Sequence, residues 1–258
     1  MPTEAVIFDL DDTLLVEVAS ADAAFLAACA VAHEEHGIDP EELHQTVRLK
    51  ARELWYASPA RAYCVDIGIS SWEGLWARFR GADPNLEILR AWAPTYRLES
   101  WSRALAEHGV NDPSFAEQMA DTFRKERRAR HIVYADVKPT LEEVRQTYRL
   151  ALLTNGAADL QREKIRASKL APFFEVIVIS GEVGVRKPEP QIFGLVLDRL
   201  SVTAEKAVMV GNSPSSDVAG AQRAGLKGVW LNRPGKQCDD GVEPDAQIAS
   251  LSELKRVL

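Results

Sequence analysis

The sequence predicts a doubly wound, parallel α/β sheet with an α-helical domain inserted after the first strand. Three observations point to it. Five short apolar segments rich in β-branched residues each end in polar or glycine residues. Amphipathic stretches alternate with the last four of these segments, as in a doubly wound sheet. A long interval between the first segment and the second holds no strand-like run.

The first strand is AVIFDL (5–10). Residues 16–134 are rich in Ala, Leu, Glu, Arg and Trp and read as successive helices. They form the inserted α-helical domain, leaving residues 1–15 and 135–258 as a Rossmann-like core. VKPTLEEVRQTY (137–148) is the core's next helix, with Pro139 or Thr140 near its start and Glu143 available for a capping box. Strand LALLTN (150–155), helix DLQREKIRASKL (159–170), strand EVIVIS (175–180), helix PQIFGLVLDRL (190–200) and strands AVMVGN (207–212) and GVWLN (228–232) follow. After Asn232, RPGKQCDDGVEPDAQ reads as a polar loop and SLSELKRVL as a short helix.

A chain of 258 residues, 46% of them hydrophobic, buries a full core. Its net charge of −7 gives no overall attraction to nucleic acid or to an anionic membrane, so an anionic ligand has to be held by local positive charge. Cys29, Cys64 and Cys238 are far apart and form no CxxC pair, which argues against a zinc knuckle and against a disulfide framework. The N-terminus carries acidic residues where a signal peptide needs an apolar stretch, and no run of about 18 apolar residues occurs. The expectation is a soluble, cytoplasmic protein.

Ligands of an open parallel sheet gather outside the carboxyl ends of its strands. There the first strand delivers Asp9, Asp11, Asp12 and Thr13, the second Thr154 and Asn155, and the fourth Asn212, Ser213 and, five residues past Asn212, Asp217; Lys187 follows the third. Carboxylates crowded at one edge raise one another's pKa unless a divalent cation neutralises them. A hard, oxygen-ligated ion such as Mg2+ is implied.

FDLDDTL (8–14), LLTNG (152–156), RKPEP (186–190) and GNSPSSDVAGA (211–221) resemble, in order, the four motifs of haloacid dehalogenase superfamily phosphatases. The insert after the first motif resembles that superfamily's helical cap. TNGAADLQREKI and GVWLNRPG are similar to the subgroup of N-acylneuraminate-9-phosphatase and pyrimidine nucleotidases. The resemblance implies a phosphatase acting on a small phosphorylated metabolite, a sugar phosphate or nucleotide. In it Asp9 is the nucleophile and Asp11 the acid and base. Thr154, the Asn155 N–H and Lys187 hold the phosphoryl oxygens. The Asp9 carboxylate, the Asp11 carbonyl, Asn212 and Asp217 form the Mg2+ site. Most relatives of this kind carry Asp where Asn212 stands. An amide still ligates the ion, but one negative charge is lost and a higher Mg2+ requirement is expected.

The remaining features have plainer readings. Asp12 caps the turn after the first strand, and Trp55, Trp72, Trp76, Trp92 and Trp101 are core residues of the helical domain. RKERRARH (124–131) is a solvated helix face, or at most a patch that steers anionic substrate. His33 and His36 lack a third metal ligand and read as exposed helix residues. Competing functions are a 2-haloacid dehalogenase, a phosphomutase and a non-catalytic binding relative. Asp11 argues against the first, because a departing halide needs no proton.

Overall fold

The computed structural model describes residues 2–237 and 241–258, so Cys238 lies outside the described residues. Cys29 and Cys64 are buried free thiols. The chain divides into two compact units: Met1–Val16, Ile132–Gly156 and Gln161–Leu258 form one, Glu17–His131 and Ala157–Leu160 the other.

The first unit holds a parallel sheet of β1 (Ala5–Phe8), β2 (Arg149–Thr154), β3 (Val176–Ile179), β4 (Ala207–Gly211), β5 (Lys227–Leu231) and β6 (Ala246–Ile248), in the order β3-β2-β1-β4-β5-β6. β1 is central, with Ile7 opposite Ala151 on one side and Met209 on the other. Successive side chains of a strand point to opposite faces. Val6, Phe8, Val208 and Val210 accordingly enter one apolar cluster with Leu141 and Leu251, whereas Ile7, Leu153 and Met209 enter another with Phe193 and Val196. Burial on both faces is why these strands read as unbroken apolar runs. The strand order reverses direction at β1, opening the crevice where such sheets bind ligands.

The second unit packs α1 (Val18–His36), α2 (Pro40–Tyr56), α3 (Arg61–Ile67), α4 (Ser71–Gly74), α5 (Pro84–Glu107) and α6 (Pro113–Arg128) around their own core. Three of them begin with the same device, Asp then Pro. Asp39, Asp83 and Asp112 accept backbone N–H bonds at the caps of α2, α5 and α6, and the proline gives up no needed donor. Trp76 and Trp101 are fully buried, Trp55 nearly so, and Trp72 and Trp92 pack against them half-buried. His33 and His36 are exposed. The expectation of a solvated face at 124–131 fails at Arg127. Its side chain is wholly buried, bonded to the Glu17 carboxylate, with its guanidinium 4.7 Å from the Trp76 ring centre. A guanidinium that is both ion-paired and stacked on an indole tolerates burial.

The remaining helices are α7 (Val137–Val144), α8 (Ala158–Ser168), α9 (Ser180–Val183), α10 (Pro190–Leu200) and α11 (Ala219–Arg223). α7 stops earlier than expected and has no capping box. Asp136, at its N-cap position, spends its carboxylate on Arg233, the Ser250 hydroxyl and the Leu251 N–H, and Glu143 pairs with Lys255. β6 departs from the polar loop read there. Its three residues carry no apolar pattern, and pairing of Trp230 with Gln247 and the Asn232 N–H bond to the Ile248 carbonyl (2.8 Å) hold it. The segments flanking residues 17–131 meet side by side. Val16 N–H donates to the Ile132 carbonyl (2.9 Å) and Tyr134 N–H to the Leu14 carbonyl (3.1 Å). No described helix is long and apolar enough to cross a membrane.

Candidate active site

Asp9 is the first residue past β1, fixed there by its N–H bond to the Val210 carbonyl (3.0 Å). Its carboxylate meets Thr13 of its own loop and Lys187 from another segment. Lys187, in the loop before α10, places its Nζ 2.6 Å from Asp9 Oδ1 and 2.7 Å from Asp217 Oδ1. The Thr13 hydroxyl donates to Asp9 Oδ2 (2.9 Å) and accepts the Asn212 N–H (3.1 Å). Asp217 Oδ2 accepts the Ser213 N–H (2.9 Å). Only glycine fits at 211, since a Cβ there would lie 2.2 Å from Asp217 Oδ2.

Asp9, Lys187 and Asp217 are all buried. Burial lifts the Asp9 pKa from 3.8 to about 7; the Lys187 charge opposes this, and the Asp217 and Asp11 charges add to it. For Lys187 burial works against the charge, but the Asp217 and Asp9 carboxylates outweigh it and raise its pKa to about 12. The ammonium is therefore permanent, while the carboxylate beside it is held near neutrality in the absence of further positive charge.

Asp11 is held by two residues of α8, which the sequence predicts only as an amphipathic helix. Lys164 Nζ lies 3.1 and 3.0 Å from its two carboxylate oxygens, and Gln161 Nε2 donates to Oδ2 (2.9 Å). The same Gln161 nitrogen reaches Thr154 Oγ1 and the Asn155 carbonyl, both at 2.7 Å. Gln161 and Lys164 are fully buried despite their polarity. Their three-residue spacing on α8 puts them on one face, and this spacing, starting five residues after TNG, is the signal the sequence carries. Asn155 contributes its side chain as well as its backbone. Its amide accepts the Lys187 N–H (2.9 Å) and donates to the Lys187 carbonyl (3.0 Å), clamping the loop that carries the ammonium. Asp12 adopts a left-handed conformation (φ 56°), its N–H bonded to the Leu15 carbonyl at 2.8 Å, so it shapes the turn.

The donor set suits a hard divalent ion. The Asp9 carboxylate, the Asp11 backbone carbonyl and the Asn212 side-chain carbonyl are oxygens, and among the described residues Asn212 Oδ1 has only a long 3.5 Å contact with the Thr13 hydroxyl. A cation there would also reverse the upward push on Asp9. Both Asp217 oxygens already face donors.

A family model described as haloacid dehalogenase-like hydrolase matches residues 3–225. The chain is 38% identical over 251 residues to a phosphoserine phosphatase of Thermus thermophilus, covering 96% of each protein. It is 37% identical over 166 residues to the N-acylneuraminate-9-phosphatase of Mus musculus, covering 63% of this chain and 67% of that one. Among solved structures, the HAD-hydrolase YfnB of Bacillus subtilis superposes with a TM-score of 0.66 at 23% identity, over 100% of this chain and 99% of that one. A 2-haloacid dehalogenase of Pseudomonas syringae superposes with a TM-score of 0.61 at 30% identity, over 99% and 97%. With the parallel sheet, the four ordered motifs and a family match across most of its length, this chain belongs to the haloacid dehalogenase-like hydrolases.

Proposed function

We propose that the chain is a Mg2+-dependent phosphatase that hydrolyses a small phosphorylated metabolite, a sugar phosphate or nucleotide, through an aspartyl-phosphate on Asp9. The Asp9 carboxylate attacks phosphorus, the bond to the leaving oxygen breaks, and Asp11 supplies the proton that this oxygen takes up. Asp11 then removes a proton from water, which attacks the same phosphorus and returns Asp9 as a carboxylate with release of phosphate. Lys187 neutralises the transferring oxygens, Thr154 and the Asn155 N–H orient them, and Asp217 holds the ammonium in place. Mg2+ held by Asp9, the Asp11 carbonyl and Asn212 supplies further positive charge at the phosphoryl group; Asp217 contributes charge from behind Lys187. Residues 16–134 act as the cap that selects the substrate.

The observation that carries this reading is the Asp9–Lys187–Asp217 array with a second carboxylate, Asp11, two residues from the nucleophile. Relatives named as phosphatases, one of them matching 96% of the chain, agree with it. The likeness to a 2-haloacid dehalogenase keeps a second reading in play, in which Asp9 attacks carbon without metal. Asp11, with a buried lysine and glutamine devoted to it, has no task in that reaction. Turnover of p-nitrophenyl phosphate that requires Mg2+ and disappears in Asp9→Asn is the expected result. Release of chloride from 2-chloro acids in the presence of a chelator, with no phosphatase turnover, would establish the dehalogenase instead.

A further inference from the structure

The turn that follows β5 reaches back to the loop that carries Asp9. Arg233, two residues past β5, spans the distance. Its Nη1 and Nη2 donate to the two carboxylate oxygens of Asp136, both at 2.9 Å, and Nη2 donates as well to the Thr13 carbonyl (3.1 Å). The guanidinium lies 3.9 Å from the centre of the Tyr134 ring. A bidentate carboxylate and an aromatic face therefore hold the fork in place where it meets Thr13. Asp136 is itself fixed, since it also accepts the Ser250 hydroxyl (2.7 Å) and the Leu251 N–H (2.9 Å). Burial opposes its charge, but the bonds from Arg233, Ser250 and Leu251 outweigh it and hold the carboxyl below its ordinary value, so Asp136 is anionic at neutral pH. Asn232 closes the backbone of the turn. Its buried side chain accepts the Lys236 N–H (2.9 Å) and donates to the Lys236 carbonyl (2.8 Å).

Thr13 is where this brace bears on the site. It is wholly buried, and its hydroxyl joins two segments of the site, donating to Asp9 Oδ2 and accepting the Asn212 N–H. A hydroxyl with both partners set is only as well placed as the backbone that carries it. The neighbouring carbonyls of that loop are held by backbone N–H groups: Leu10 by Leu14 and Leu15, Leu14 by Tyr134, and Leu15 by Asp12. The Thr13 carbonyl is held by the Arg233 side chain instead. β5 supports the partner segment too, since Trp230 Nε1 donates to the Asn212 carbonyl (3.0 Å). An ion pair that only tied down the segment at Ser250 and Leu251 has no use for a third bond, into a buried carbonyl four residues from the nucleophile. A lysine cannot take over, because one ammonium lacks the planar fork that serves a carboxylate and a carbonyl together. We propose that Arg233 is a positioning residue for the reaction described above, acting through Thr13 to aim the Asp9 carboxylate and to keep Asn212 beside it. Its effect on turnover rests on the phosphatase reading, whereas its effect on the loop does not.

Hydrogen exchange and kinetics of the full chain test this in Arg233→Gln, Arg233→Lys and Arg233→Ala. In metal-free protein followed by NMR, the Asn212 amide hydrogen of Arg233→Gln is expected to exchange about tenfold faster or more, while those of Val208 and Met209 in β4 keep their rates. In Arg233→Gln and Arg233→Lys, kcat for Mg2+-dependent turnover of p-nitrophenyl phosphate is expected to fall about tenfold or more with KM within about twofold, since a misaimed nucleophile slows the reaction without weakening binding. Guanidinium at millimolar, non-denaturing concentration is expected to restore kcat of Arg233→Ala saturably and to leave the unaltered chain as it is. Arg149→Gln is the control. It removes an ion pair with Glu175 and a bond to the Leu200 carbonyl at the start of β2, the end of the sheet away from Asp9, and is expected to match the unaltered chain in both measurements. Faster exchange throughout β4, or equal losses in Arg149→Gln, reduces Arg233 to a structural ion pair and overturns the positioning role. Full kcat in Arg233→Lys, or no response of Arg233→Ala to guanidinium, overturns it as well. Absence of Mg2+-dependent turnover in the unaltered chain sinks the phosphatase reading instead, and exchange at Asn212 then decides by itself whether Arg233 sets the loop.

Discussion

Lys187 is the residue on which the site converges, and its removal has two separable effects. Lys187→Met leaves two buried carboxylates facing each other. Stability is expected to fall by about 3–5 kcal/mol, the usual cost of breaking a buried ion pair, and turnover by a factor of about 100 or more. Urea unfolding and steady-state kinetics report the two. Asp9 makes a prediction about pH. Its folded pKa of about 7 exceeds the ordinary 3.8, so the folded chain binds that proton more tightly than the unfolded one. The resulting stability is present in full below about pH 3.8 and lost as pH rises through about 7. Metal-free protein, compared with Asp9→Asn across this window, is expected to lose stability as pH increases, and Mg2+ to remove the difference. A flat difference between the two profiles would contradict the burial argument. Asn212→Asp restores a charged ligand and is expected to lower the Mg2+ concentration needed for half-maximal activity; an unchanged or higher requirement counts against Asn212 as a ligand.

At the scale of elements, α8 deserves a role beyond covering the sheet. Gln161 and Lys164 together orient the carboxylate of Asp11, so Lys164→Met and Gln161→Leu should impair reactions in which the leaving oxygen needs a proton. Turnover of alkyl phosphates is expected to drop at least tenfold more than that of p-nitrophenyl phosphate, whose leaving group departs as the anion. Equal losses on both substrates would reduce the pair to a packing role. The same helix shows where sequence reading stops. β1 to β5 were legible because burial on both faces leaves short apolar runs, rich in β-branched residues and closed by polar or glycine residues. β6 was not, because AQI is too short and too polar to stand out and is held by backbone pairing. Asp9, Asp11 and Lys187 were legible as motif positions. That Asp9 and Lys187 touch is a contact across 178 residues of sequence, which only the folded sheet creates. Gln161 and Lys164 were missed because QREK on an amphipathic helix reads as its wet side. Arg127 misled for the same reason, since a run of basic residues gives no hint that one member is buried against Glu17 and Trp76.

At the scale of the whole molecule, each unit has its own apolar interior: one cluster among the helices, two more on either face of the sheet. The sheet unit closes its own backbone at the point of insertion through the paired segments at Leu14–Val16 and Ile132–Tyr134. Replacing residues 17–131 by a short Gly/Ser linker is therefore expected to give a chain that keeps a cooperative thermal transition and a near-ultraviolet dichroism spectrum. A molten product lacking both would show that the sheet cannot stand without the helices. The hydrogen bond between Val16 and Ile132 has a consequence for descent as well as for folding. Where the two ends of a 115-residue excursion are stitched together by a pair of backbone hydrogen bonds, the excursion can be lengthened, shortened or exchanged for another without re-registering a single strand. Under the proposed function, lineages that retain Asp9 can therefore change their substrate by trading this one cassette.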